Sequence, residues 1–547
     1  MESQRQQDSI ERLGRRVREG GMTRAEVLRR AAAAGFAFSL PAVLAACGSE
    51  TGGRTEGSPA SRASDIPSEP GGMMRIALPA GVAGALDPHA PASLHARLRN
   101  SNVFDTLFMV DNAGKLVPAL ADEASSNADA TEWTIRIKPG IEFHDGSPLT
   151  IEDILYSLRR ILDPKTSAEG MGQISMIDRS RIKKLDDRTV RIGLQYPFSI
   201  LPDQLASGHV ITIVKDGENR FDPPIGTGAF KFERGNDSDY TLARNASYWQ
   251  PDLPRLDTVE VIAIQDATAR LNALKTGEVD ANYPVDFTEA ASVRSDPNIT
   301  TFVNKTGTFM PMYMRADTKP FSDNRVREAL KFAADRETMN QLAYGGEGII
   351  GNDLFVPSGD PAYPAGAEQR PFDPERARAL WSEAGMAGTR LQFWTSAVWP
   401  GQLTAATAYA QKAKDAGIDI EIKKLPDDQF ISKIYGIKPF ANDYWKYTPI
   451  LTIMSLAFVP GADYFKTASW ATDETTRLYE EAASQTDEAK RNELSAEIML
   501  RFRDEGPYIV WAFEASPDLY SAKIGGQENS VVRSLNGFRL EKFFIKA

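Results

Sequence analysis

The chain has 547 residues, with 63 lysines and arginines against 74 aspartates and glutamates. At a formal net charge of -11 it offers no basic face to neutralise nucleic-acid phosphates. The single cysteine, Cys47, excludes an intrachain disulfide and a thiolate metal site, and the four histidines (His89, His95, His144, His209) lack the spacing of a His-Glu-x-x-His zinc helix. With 42% hydrophobic and 25% charged residues the composition is that of a soluble protein, and a body of this length is expected to divide into domains.

At the N-terminus, Arg15, Arg16, Arg18, Arg24, Arg29 and Arg30 precede an apolar run over 31–46. That run is too short to span a bilayer, which takes about 20 residues. A basic head, an apolar middle and small residues before a cut site make an export signal over 1–46. The run closes in Leu44-Ala45-Ala46-Cys47, which resembles a bacterial lipobox and implies cleavage before Cys47 and lipidation of its sulfur. The plainer alternative is a buried lone thiol, which does not account for the basic head and apolar run. Thr23-Arg24-Ala25-Glu26-Val27-Leu28-Arg29 resembles a twin-arginine signal with Ala25 in place of the second arginine, while Arg29-Arg30 is a true pair set close to the apolar run. The twin-arginine route is favoured and the Sec route stays open. Over 47–70 Gly, Ser, Pro and Glu dominate, the composition of a flexible tether behind the lipidated cysteine.

After the tether, 74–78 reads as a short strand and the alternation over 133–137 as another. Thr150, with Asp153 at the capping-box position, predicts a helix whose apolar face is Ile154, Leu155, Leu158 and Ile161 and which Asp163-Pro164 ends. Ser322 or Asp323 caps a helix carrying Val326, Leu330, Ala333 and Ala334. Asp373-Pro374 starts a further helix that Gly385 closes, another ends over 411–415, and Ile418, Ile420 and Ile422 alternate as a strand. Helices alternating with short strands across two large blocks indicate α/β lobes, with no internal repeat.

Most of the recurring short motifs read as scaffold. Gly146 allows a tight turn that Pro148 stiffens, with Asp145 as a turn aspartate and His144 on the solvent side; Gly226 and Gly228 suit a turn into a strand at Phe230. Arg325, Arg327, Asp335 and Arg336 are expected to form charge pairs on and around one helix. Gly346-Glu347-Gly348-Ile349-Ile350-Gly351 fits a dinucleotide fingerprint, but a helix precedes it and Pro357 follows, so it reads as a loop. There is no G-x-S-x-G elbow, phosphate loop or S-x-x-K serine.

The motifs run in a definite order. Leu86-Asp87-Pro88-His89, Phe104-Asp105-Thr106-Leu107-Phe108 and Leu116-Val117-Pro118-Ala119-Leu120-Ala121 come first, then Trp133 through Phe143-His144-Asp145-Gly146. Gly226-Thr227-Gly228-Ala229-Phe230, Arg244-Asn245-Ala246-Ser247-Tyr248-Trp249 and Leu274-Lys275-Thr276-Gly277-Glu278-Val279-Asp280 follow. Pro320-Phe321-Ser322-Asp323-Asn324-Arg325-Val326-Arg327-Glu328-Ala329-Leu330, Ala334-Asp335-Arg336 and Phe372-Asp373-Pro374-Glu375-Arg376-Ala377 complete the series. In this order it resembles the extracytoplasmic solute-binding proteins of the peptide/nickel ABC importers, from about residue 71 to the C-terminus.

The resemblance implies an α/β, two-lobed periplasmic-binding-protein type II fold with a hinge and a central ligand cleft. Lobe I would comprise 71–309 and 517–547, with an inserted subdomain at about 109–215, and lobe II would comprise 310–516. The chain would cross between them near Met310-Pro311-Met312-Tyr313 and near Ala515-Ser516-Pro517. Closure around a ligand would present the protein, expected as a monomer, to a membrane permease. Trp445 occupies the position at which the ligand-facing segment of the family often begins. Thr448 stands where the oligopeptide binders carry an aspartate for the peptide ammonium. A buried ammonium needs a charged partner; Asp443 and Asp463 are the candidates to replace it.

Trp394, Trp399, Tyr444, Tyr447, Tyr464 and Trp470 surround this segment with aromatic surface suited to a ligand of mixed polarity, a core position being the competing reading for each. Thr395 follows Trp394 at a strand end, where clefts form, and Ala92 and Ser93 are expected at the cleft rim of lobe I. The expected ligand is a short peptide or a related amino compound, with opine-like compounds, sugars and metal chelates left open. No cofactor or resident metal and no nucleic-acid partner is expected. Two other readings stand beside this one: an exported α/β hydrolase-like enzyme, which would need a nucleophile–base pair or a metal, and a solute sensor or chaperone on the same fold.

Overall fold

A computed structural model describes residues 70–79, 86–91, 93–207, 209–360, 362–460, 462 and 464–546. The export signal, Cys47 and the tether as far as residue 69 lie outside the described residues, as do Ala92 and Asp463. The described residues belong to one unit, Ala60–Ala547.

Two mixed sheets organise it. In the first, the strands run in the order Ile299–Phe309, Ala512–Ser521, Ala281–Asn282, Met73–Leu78, Thr258–Ala263, Tyr240–Arg244, Phe230–Gly235. Met73–Leu78 is parallel to both of its neighbours. In the second the order is Asp419–Lys424, Arg390–Thr395, Phe440–Asn442, Met312–Met314, Tyr508–Ile509. A four-stranded antiparallel sheet (Ala121–Ser126, Glu132–Ile137, Thr189–Leu194, Ile177–Lys184) forms a separate layer backed by the helix Ile151–Ile161.

Local chemistry explains the helix starts. Thr150 N donates to Asp153 Oδ2 at 2.7 Å, and Ile154, Leu158 and Ile161 are buried beneath that helix. Asp323 caps Asn324–Phe332 by accepting from Arg325 N, and Asp373 caps Pro374–Glu383 by accepting from Arg376 N. Gly226 and Gly228 are required by close approach more than by turn geometry: a Cβ on either would strike the backbone of 102–103. His144 is not on the solvent side. Its Nδ1 accepts from Gly226 N at 3.3 Å and its Nε2 donates to Gly228 O at 2.9 Å, clamping that segment. Asp145 accepts from Ser147 N, as a turn aspartate does, and pairs with Lys215 at 2.7 Å.

Among the four charged residues expected to pair, Arg325 meets Asp323, Asp335 meets Lys412 and Arg336 meets Asp353. Arg327 does not: it donates to the carbonyls of Glu505 and Phe321, closing the C-terminus of the helix Glu488–Glu505. The glycine-rich 346–351 segment is a loop with a two-residue strand, Ile349–Ile350, laid against Phe513 and Ala512.

Two short links join the two sheets, besides the longer excursion that lays Ile349–Ile350 on the first sheet. Phe309 belongs to the first and Met312 to the second, joined by Met310-Pro311; Ile509 belongs to the second and Ala512 to the first, joined by Val510-Trp511. The expected crossing at 515–517 falls inside Ala512–Ser521, opposite Val303, Asn304 and Lys305, so the change of sheet comes earlier in the chain. The two links are tied to each other, since Trp511 Nε1 donates to Met310 O at 2.7 Å. Val510 N donates to Asp353 Oδ1 at 3.0 Å. Asp353 is fully buried, bonded through both oxygens to Arg336 at 2.7 Å and through Oδ2 to Arg370 Nε at 2.9 Å. Burial alone would raise its carboxyl, but Arg336, Arg370 and Lys331 hold it below the ordinary value.

Candidate ligand cleft

The segment 443–448 leaves the end of the strand Phe440–Asn442 and meets the first crossing link. Phe309 N donates to Trp445 O at 2.8 Å and Trp445 N to Phe309 O at 3.0 Å, so backbone bonds hold the segment against the first sheet. Asp443 is not available to a ligand ammonium. It is fully buried and accepts from Tyr508 OH at 2.7 Å, Trp445 Nε1 at 3.1 Å and Tyr444 N at 2.7 Å. Burial pushes its carboxyl up to about 6, against these donors.

Trp445 is only 6% exposed, its ring edge-on to Tyr464 at 5.9 Å. Tyr444 lies half-buried, stacked on Trp399 at 4.5 Å with the rings 11° from parallel, and Trp399 meets Phe430 edge-on at 5.1 Å. The Tyr447 hydroxyl donates to Gly114 O at 3.2 Å. Its ring is wedged between two glycines: a Cβ on Gly114 would lie 2.8 Å from the hydroxyl oxygen, and one on Gly307 would strike the ring. Thr448 turns its hydroxyl onto Lys446 O at 2.9 Å.

Other residues singled out from the sequence are engaged in scaffold. Trp470 packs edge-on to Phe502 at 5.3 Å within the apolar cluster of Phe355 and Phe458, a core position. Thr395 is buried with its hydroxyl on Asn442 Oδ1 at 2.7 Å. Ser93 is the N-cap of Leu94–Val103, accepting from Ala96 N at 3.0 Å and donating to Asp237 Oδ2 at 3.3 Å. The face of Trp394 is covered by Lys438, whose Nζ lies 4.0 Å from the ring centroid.

Around Tyr444 the structure gathers charges that no motif announced. Glu514 comes from the first-sheet strand Ala512–Ser521, Arg533 from the C-terminal segment, and Lys446 from the residue after Trp445. All three are half-buried, and among the described residues none has a side-chain hydrogen bond or ion pair; Arg533 lies 4.6 Å from the ring centroid of Phe538. The backbone brings them together: Phe309 pairs with Phe513, the residue before Glu514, and bridges Trp445, the residue before Lys446, while Ser534, next to Arg533, donates to Ser516 Oγ at 3.0 Å. The field of Arg533 accordingly reaches both Glu514 and Lys446. Burial pushes the Glu514 carboxyl up to about 7, against the pull of Arg533. It draws Lys446 down to about 8, with Arg533 and Arg97 adding to the effect. Arg97 is itself bonded to both oxygens of Glu169 at 2.7 and 2.8 Å. His209 is held well below its ordinary value by burial and by the neighbouring cations, so it is neutral.

Isolated charges in a place of low dielectric are costly, and here opposite signs sit in one neighbourhood without meeting. Such an arrangement accepts a molecule that brings its own counter-charges, with the Tyr444–Trp399 stack as an apolar wall. Lys446 lay within the aromatic segment read from the sequence, so its position was accessible. Glu514 and Arg533 reach the site only through the long-range pairing of Ala512–Ser521 with Ile299–Phe309 and the return of the C-terminal segment.

Residues 115–466 match the family described as bacterial extracellular solute-binding proteins, family 5 Middle. The chain is 24% identical over 469 residues to the glutathione-binding protein GsiB of Pectobacterium atrosepticum, covering 81% of this chain and 89% of the relative. It is also 24% identical over 463 residues to the protein of the same name from Escherichia coli strain K12, with the same coverages. Among solved structures it is similar to the binding protein AgaA of A. tumefaciens R10 in complex with agropinic acid, at a TM-score of 0.72, 24% identity and coverages of 87% and 99%. DppA of Helicobacter pylori in complex with the peptide STSA aligns at a TM-score of 0.71, 21% identity and coverages of 88% and 99%. These likenesses identify the fold as two-lobed periplasmic binding protein type II.

Proposed function

For a chain that belongs to the bacterial extracellular solute-binding proteins of family 5, and is thereby the substrate-binding component of an ABC importer, we propose that the captured solute is a short peptide or a related amino compound. The observation that carries this reading is that Glu514, Arg533 and Lys446, none bonded through its side chain among the described residues, are brought by the Phe309–Phe513 pair, the Phe309–Trp445 bridge and the Ser534–Ser516 bond to one region beside the Tyr444–Trp399 stack. An amino compound supplies both signs of charge at short range, which a neutral sugar does not. The names of the relatives agree with this choice: glutathione, agropinic acid and the peptide STSA belong to proteins of this fold.

The same reading has the protein exported by the signal over 1–46, lipidated at Cys47, tethered to the membrane through 47–70, and working as a monomer that binds without turnover and delivers to a permease. Lobe I is drawn over 71–309 with the C-terminal strand and segment, and lobe II over the block between the two crossing links. Native mass spectrometry of the purified protein, before and after gentle unfolding, tests the ligand class. A stoichiometric amino compound is the expected result. A sugar or a metal chelate would overturn the assignment, and catalytic consumption of the bound molecule would favour the exported enzyme.

A further inference from the structure

The unpaired groups allow the ligand class to be narrowed by charge, an inference that rests on the amino-compound reading. In 443–448 no carboxylate is free: Asp443 is engaged by three donors and position 448 is a threonine whose hydroxyl donates to Lys446 O. Of the other carboxylates of the neighbourhood, Asp518, Glu169 and Asp360 are engaged, while Asp203, whose field also reaches Tyr447, answers to Arg491 and not to Arg533. Asp518 is fully buried and accepts from Asn304 Nδ2 at 2.8 Å, Tyr520 OH at 2.9 Å and Leu535 N at 3.0 Å. Glu169 holds Arg97. Asp360, whose field reaches Tyr447, closes a turn by accepting from Ala362 N at 2.8 Å. Glu514 is the acid that feels Arg533 yet touches no donor with its side chain.

The cations sort the same way. Arg97 is neutralised by Glu169 and His209 is uncharged, which leaves Arg533 and Lys446. These two arrive on different elements, one from the C-terminal segment and one from the segment behind Trp445, and they repel each other. One carboxylate shared between them would leave the site with an unbalanced buried positive charge.

We propose that the cleft takes an amino compound with one ammonium and two acid groups, its ammonium on Glu514 and its acid groups on Arg533 and Lys446. Glu514, on the first-sheet strand that follows the second link, then does the work that the family's aspartate would do at position 448. The charge of the ligand is fixed at a single net negative by the three protein groups, while its length is set by the aromatic wall and is not part of the inference.

Isothermal titration of the full-length protein with matched probes tests this. Ala-Glu and glutathione carry one ammonium and two carboxylates. Ala-Gln and the glycyl methyl ester of glutathione have lost one carboxylate, the N-acetyl forms have lost the ammonium, and trialanine is the neutral reference. At least one of the two parent probes is expected to bind at least ~10-fold tighter than each of its altered forms. Glu514→Gln should erase the preference for the free amine and keep that for the second carboxylate; Lys446→Met and Arg533→Gln should do the reverse. Glu514→Asp, which keeps the charge, should retain part of the amine preference and controls for a folding defect. If trialanine or the one-carboxylate probes bind as tightly as the parents, the charge class falls and the amino-compound reading stands. If Asp360→Asn, and not Glu514→Gln, removes the amine preference, the anchor is wrong. If no amino compound binds, both readings fall.

Discussion

Two clusters of charge, one fully buried at its centre and one half-buried, lie on either side of the second link and are built on opposite plans. At the second link, Asp353 has both oxygens bonded to Arg336, Arg370 and Val510 N, and Arg370 continues to Asp504 at 3.1 Å. A few residues on, Glu514, Arg533 and Lys446 share a neighbourhood without a bond between them. The first cluster offsets the cost of burial internally and needs nothing from outside. The second leaves that cost standing, so its carboxyl and its amine are both drawn toward neutrality. Buried charge by itself therefore does not mark a site; the degree of pairing separates a joint in the frame from a seat for a ligand.

The largest effect that would break this comparison lies at the joint. Asp353→Asn is expected to cost about 3–5 kcal/mol in urea unfolding, because it leaves two buried guanidinium groups without their carboxylate. A loss below about 1 kcal/mol would mean that the cluster is not the support its bonds describe. Next comes Gly307→Ala. It drives a methyl into the Tyr447 ring and should cost about 1–3 kcal/mol, and Tyr447→Ala in the same chain should recover part of that loss.

A satisfied neutral pair gives the next test. Burial holds His89 and His144 down at about 4, each bonded in its neutral form, His89 through Thr212 O and Arg160 and His144 through Gly228 O and Gly226 N. Below pH 6.5 the unfolded chain takes up protons that the native histidines refuse. The stability they contribute is thus intact above pH 6.5 and is lost as pH falls toward 4. The slope is at most about 1.4 kcal/mol per pH unit for each histidine. His144→Gln should flatten melting temperature against pH over that window; an unchanged slope would show that His144 titrates normally. The smallest effect is expected at the seat. Glu514→Gln, without ligand, should change stability by about 1 kcal/mol or less, with no loss, since it removes a charge that has no partner. A large loss there would place Glu514 in the frame after all.

Legibility from sequence follows the range of the interactions. The caps Thr150, Asp323 and Asp373 act over three residues or fewer, and the helices they start were readable from spacing. The alternating strands and the ordered motifs carried the α/β, two-lobed type II fold. What could not be read depends on partners far along the chain. The second crossing sits at Val510-Trp511 and not at 515–517 because the pairing of Ala512–Ser521 with Ile299–Phe309 continues through those residues. Trp470 and Trp399 look alike in sequence, yet one faces Phe502 in the core and the other Tyr444. Ser93 and Thr395 have hydroxyls suited to a ligand, but a helix cap and Asn442 claim them. Glu514 and Arg533 carry no motif at all, since a lone charge in a strand or a loop has no periodicity to betray it.

The bond from Trp511 Nε1 to Met310 O has a mechanical consequence. Two separate ribbons between two rigid bodies permit bending and also a twist of one body against the other. Here the ribbons are pinned to each other at their midpoints, and Tyr344 stacks on Trp511 at 5.0 Å to back the pin. A twist would shear that bond, whereas a bend carries both ribbons along together. Bending that carries both ribbons together leaves the bond intact, so the pin favours bending over twisting at the links.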